Sequence, residues 1–123
     1  MQSKLRIATI ALGVLFTLQG LGWVFVPHRA AAQLGMPALD GLARSTQFGD
    51  FAAFFLVLGG SILVGCQPGR ARVLYFPAAM LGTAAVCRIL AWLLHGAAFA
   101  ALFIAVETIG ALVLRAAARA PAA

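Results

Sequence analysis

Asp50, Arg88, His95 and Glu107 are the ionisable side chains that fall within or at the rims of long apolar runs. A lone charge at a bilayer centre costs about 2.5 to 3.5 kcal/mol on insertion scales, so such groups turn inward and pair. Helical spacing groups them further. Arg88, Trp92 and His95 follow at i, i+4 and i+7 and share one face; Gln47, Asp50 and Phe54 share another. The simplest assembly makes Arg88 a central cation bridging Asp50 and Glu107, with Gln19 and Gln47 adding neutral hydrogen bonds. One carboxylate would neutralise Arg88, so the second leaves acceptor capacity over. That surplus points to a ligand, with Gln19, Gln47, Asp50, Arg88, Trp92, His95 and Glu107 as binding residues. Without a ligand, the same groups would form an ionic clamp holding helices in register.

Other chemistry has less to stand on. There is no HExxH, no P-loop, no GxGxxG in a βαβ context, and no Ser or Cys nucleophile beside an evident base. His28 and His95 are too few to specify a haem or metal, so neither cofactor nor metal is expected. Glu107 could serve as a general acid or base, but no catalytic motif surrounds it, which leaves enzymatic activity an open question. Cys66 and Cys87 lack CxxC or Cys/His spacing and read as reduced packing thiols.

The elements that must position these residues follow from composition. The 123-residue chain is 63% hydrophobic and 10% charged, with a mean hydropathy of +1.02. A soluble domain of this size needs polar residues to cover its large surface, so the expected solvent is lipid. Four spans are predicted, over residues 5–26, 46–65, 73–94 and 97–114, each long enough to cross a hydrocarbon core of about 30 Å. The fold class is therefore an all-α four-helix transmembrane bundle in a single domain.

A cleavable signal peptide is the rival reading of the first run, since Lys4 and Arg6 precede most of it and Ala30-Ala31-Ala32 resembles a processing site. The run exceeds a typical signal h-region and is expected to be retained. Cys66-Gln67-Pro68-Gly69-Arg70 is turn chemistry, and His95-Gly96 is a tight link, so consecutive helices are antiparallel neighbours. Between the first two spans, Pro27 and Pro37 are each placed to open a short helix and Gly35 to end the first. The expected result is an amphipathic element at the interface, with a lid over a pocket as the alternative. Small residues at four-residue spacing, Ala78 with Gly82 and Ala97 with Ala101 and Ala105, together with Gly13, Gly20, Gly59 and Gly60, offer close helix contacts.

The net charge of +6 would raise nucleic acid as a partner in a soluble chain, but the cations do not form a patch with interleaved aromatics. Eight of the nine Lys and Arg, all but Arg88, lie between spans or at their ends. Lys4, Arg6, Arg70, Arg72, Arg115 and Arg119 collect on the side of the two termini, against Arg29, Arg44 and Asp40 opposite, which predicts cytoplasmic termini. Trp23 and Trp92 then fall near the outer interface and Tyr75 near the inner one. By helix rise Asp50 lies one turn below the outer end of its span, Arg88 about 9 Å and Glu107 about 15 Å below theirs. Gln19 and Gln47 fall in the same outer half, and His95 at its mouth.

The order of features, from Pro27 through Leu34-Gly35, Arg44 and Phe48-Gly49 to Arg88, His95-Gly96 and Glu107, resembles small bacterial four-helix membrane proteins allied to the DoxX-like group. At Asp50 and Cys87 the chain departs from glycines frequent there. The resemblance implies a four-helix fold in the inner membrane, and a wider group with some ties to quinone-linked redox systems. The expected function is binding of a small lipophilic molecule, such as a quinone, isoprenoid or lipid, in the outer half. The alternatives are a small proton-coupled transporter acting as a homo-oligomer, and an accessory subunit packed on a membrane enzyme.

Overall fold

In hydrocarbon a backbone can satisfy its N–H and C=O groups only internally, and the apolar runs accordingly form helices. The computed structural model describes residues 1–121. It contains α1 (Ser3–Phe25), α2 (Pro27–Gln33), α3 (Gly41–Gly65), a 3-10 turn (Ala71–Leu74) leading straight into α4 (Tyr75–His95), and α5 (Ala101–Arg119), with no strand among the described residues. Four stretches, Ser3–Phe25, Gly41–Gly65, Ala71–His95 and Ala101–Arg119, are long and apolar enough to cross a membrane. Large apolar side chains such as Leu18, Phe25, Leu94, Ile109 and Leu112 lie on the outside. A protein in water rarely tolerates so extensive an apolar exterior, whereas lipid favours it. The chain is a multi-pass membrane protein built as a four-helix bundle.

The ends of the helices differ from expectation where local chemistry outweighs hydropathy. Pro27 does open α2, since its missing N–H would be unpaired at a helix start anyway. Pro37 opens nothing. Residues 36–40 are non-helical, and α3 begins at Gly41, five residues before the predicted span. The link after α4 is longer than His95-Gly96. Gly96 adopts φ +66°, the left-handed conformation that terminates α4, and no further helix starts until Ala101. α5 consequently runs on to Arg119, past the expected end at Leu114. Pro77 is accommodated because it falls in the first turn of α4.

The helices pack as two antiparallel pairs, α1 with α3 and α4 with α5. Small residues set the first seam. A Cβ on Gly59 would strike the backbone of Thr17, and one on Gly20 would come within 2.9 Å of the Leu56 nitrogen. Thr17 and Thr9 donate their hydroxyls to Gly13 O and Leu5 O, both at 2.7 Å, so neither leaves a polar group loose in the seam. In the second pair Gly110 receives Leu81. Not every expected small residue takes part. Gly60 and Gly82 face open space, and Ala97, Ala101 and Ala105 are exposed.

The two pairs join at the end that carries the termini. Leu58, Ile62, Leu74, Leu81, Leu114 and Ala117 are almost wholly buried there in a single apolar core. Arg6 donates to Cys66 O at 2.9 Å, tying the start of α1 to the end of α3. The Met1 ammonium donates to Pro121 O at 3.3 Å, so both termini lie on one side. Burial pushes the Cys66 thiol up from its ordinary value, against the opposing pull of Arg6, which suits a packing thiol rather than a reactive one. At the opposite end α2 covers the bundle, with Ala30 and Ala31 buried in the core.

Candidate functional site

Closed at the terminal end and capped by α2 at the other, the two helix pairs leave a cavity of about 580 Å³ between them. Its walls draw on every helix. Leu15, Phe16 and Gln19 come from α1, Gln33 from α2 with Leu34 beside it, and Asp50, Phe51, Phe54 and Phe55 from α3. Leu81, Ala84, Cys87 and Arg88 follow from α4, and Leu102, Phe103, Val106 and Glu107 from α5. The short segment thus does more than lie at the interface, since Gln33 and Leu34 form part of the cavity's roof. A volume of this size, apolar walls and a few convergent polar groups are the usual properties of a small-molecule site.

Four of the seven residues singled out by sequence, Gln19, Asp50, Arg88 and Glu107, line this cavity. They lie six to nine residues from the α2-side ends of their helices, about 9 to 14 Å by helix rise. Arg88 donates from Nε to Glu107 Oε1 at 2.5 Å, the one ion pair among the described residues. Its guanidinium also lies over the Phe103 ring, 4.7 Å from the centroid, a second favourable partner for a cation away from water. The pair links α4 to α5, both members of the same helix hairpin.

Arg88 does not bridge to Asp50. The asparate side chain belongs to the other hairpin, lines the cavity and is exposed, with no hydrogen-bond or ion-pair partner among the described residues. Gln19 Nε2 is likewise buried without a partner there. On the α1–α3 wall Asp50 therefore stands exposed and unengaged and Gln19 Nε2 is enclosed without a partner, while the α4–α5 wall carries a closed ion pair.

The remaining three residues do other things. Gln47 is 7% exposed and holds the 36–40 segment. Its Oε1 accepts from Leu39 N at 2.9 Å, and its Nε2 donates to Pro37 O at 2.9 Å and to Met36 Sδ at 3.0 Å. The side chain is spent on roof backbone that no helix could satisfy, and so does not join the layer. Trp92 is 45% exposed and packs on Phe99, with ring centroids 5.0 Å apart. His95, the last residue of α4, is exposed and outside the cavity. Trp23 is also unlike an interfacial tryptophan: it is 1% exposed, stacked on Phe51 at 5.0 Å.

Sequence reading overlooked the aromatic wall. Phe16, Phe51, Phe55 and Phe103 line the cavity beside Phe54, and Phe55 meets Phe16 and Phe54 at 6.1 and 5.1 Å. A signal was present, because Phe51, Phe54 and Phe55 recur at i, i+3 and i+4 beside Asp50. Such a stripe is equally expected of an ordinary helix contact, and only the separation of the two hairpins makes it a wall. Comparison with protein-family models, curated proteins and solved structures yields no match. The class of protein defined by fold and site is a multi-pass four-helix membrane bundle with an open-sided, mainly apolar cavity between its helix pairs.

Proposed function

We propose that the protein binds a small lipophilic molecule, of the quinone, isoprenoid or lipid kind, between its two hairpins. The observation carrying this reading is the cavity of about 580 Å³, apolar over most of its wall, with Gln19, Asp50, Arg88 and Glu107 gathered at one depth. An apolar body would lie against the phenylalanines, and a polar head would reach this layer. Asp50 has no ion-pair partner among the described residues, and a ligand head that engages it offsets the cost of a lone charge at membrane depth. The resemblance to DoxX-like four-helix proteins supports a lipophilic ligand in the same sense. A structure determined in a lipid bilayer tests the proposal by whether this layer holds non-protein density.

The protein would reside in a bacterial inner membrane with cytoplasmic termini. Lys4, Arg6, Arg70, Arg72, Arg115 and Arg119 support that orientation against Arg29 and Arg44 on the α2 side. A carboxy-terminal reporter active only in the cytoplasm is expected to give signal, and a silent reporter in well-expressed protein would reverse the topology. The cavity then lies in the outer half, with α2 at the outer surface.

A further inference from the structure

The charges on the cavity wall do not balance. Asp50 and Glu107 contribute two formal negative charges and Arg88 one positive, so the wall carries a net −1, and no other Asp, Glu, Lys, Arg or His lines it. Arg88 is already engaged by Glu107 and by the Phe103 face. The excess therefore resides on Asp50, on the opposite hairpin. It is exposed to the cavity rather than packed away.

We infer that the cavity selects lipophilic molecules whose polar head is a cation, such as an amphiphilic amine or quaternary ammonium, with Asp50 as the counter-ion. The inference rests on the lipophile-binding reading above and narrows it to one charge class. Its basis is electrostatic: away from water an uncompensated carboxylate attracts a cation strongly and repels a carboxylate or phosphate head. Geometry agrees with charge. Phe51 and Phe54 follow Asp50 on α3, at i+1 and i+4, and line the same cavity, and aromatic faces favour cations. Arg88 over Phe103 is an example of that contact within this cavity. Arg88 bonds Glu107 through Nε alone, so an anionic head reaching its terminal nitrogens would share the guanidinium with Glu107 and add a further negative charge to a wall that already carries an excess.

Tetraphenylphosphonium and tetraphenylborate, ions of nearly the same shape and opposite charge, make the test direct. Equilibrium dialysis of the purified full chain in a nonionic maltoside detergent measures both. The phosphonium is expected to bind at about one per chain and the borate at least ten-fold more weakly, although the protein's net charge of +6 would by itself favour the borate. Asp50→Asn is expected to weaken phosphonium binding at least ten-fold, and Asp50→Glu to retain it, which separates loss of the charge from loss of the fold. Unchanged phosphonium binding in Asp50→Asn would overturn the inference. So would borate binding with no phosphonium binding, a result that leaves the lipophile reading intact. Failure of both ions to bind would count against both readings.

Discussion

Gly59→Leu is expected to abolish accumulation of folded protein, and Gly59→Ala to lower stability by about 1 to 3 kcal/mol, the usual cost of forcing extra atoms into a packed contact. The cause is the seam between α1 and α3. Gly59 is buried where a Cβ would meet the Thr17 backbone, and backbone cannot move aside as a flexible side chain can. Lipid supplies no hydrophobic reason for helices to associate, so the seam depends on close contact, and a gap there has no substitute. The adjacent Gly60 is the control, because a Cβ there meets nothing within 4 Å. Gly60→Ala is expected to leave stability unchanged or raise it by about 0.5 to 1 kcal/mol through helix propensity. Thermal melting followed by size-exclusion chromatography in mild detergent separates the two. Equal melting of Gly59→Ala and wild type would mean that the helices do not meet as described.

Glu107→Leu is expected to destabilise the protein by about 2 to 3 kcal/mol, because it strands Arg88. The estimate lies below that for a fully buried pair, since the Arg88 side chain is 37% exposed against 11% for Glu107. Arg88→Leu should cost less, because a carboxylic acid can take up a proton whereas a guanidinium stays charged at any accessible pH. The double variant should recover most of the loss. A coupling of about 1 to 3 kcal/mol from the double-mutant cycle would be the signature of direct contact. Additive losses would show that Arg88 and Glu107 stabilise the bundle separately.

The features legible in sequence were those encoded one helix at a time. Span number and antiparallel order follow from apolar run length and a fixed rise per residue, but the relative depths of Asp50 and Glu107 do not, because α3 starts five residues before and α5 four residues after the apolar runs imply. Choosing which acid Arg88 reaches required the rotation of each helix about its axis. Glycine contacts such as Gly59 on Thr17 and Gly110 on Leu81 set that rotation, and four-residue spacing alone does not distinguish them from Gly60, Gly82 or the exposed Ala97-Ala101-Ala105 stripe. Gln47 shared a face with Asp50 as the periodicity implied, yet its hydrogen bonds went to Pro37 and Leu39. Non-helical backbone at 36–40 created that demand, and a reading in which Pro37 began a helix hid it. The cavity was the least legible feature, because it arises from two hairpins meeting at one end only.

The central claim is that the space between the hairpins holds a lipophilic molecule, and an experimental structure of the wild-type protein in a lipid bilayer measures it most directly. The expected map has elongated non-protein density along Phe51, Phe54 and Phe103, its end within hydrogen-bonding distance of Gln19 or Asp50, with Arg88 and Glu107 still paired. Hairpins closed on each other, with phenylalanine side chains filling the space and Arg88 bridging Asp50 to Glu107, would contradict it and leave the polar layer as an ionic clamp.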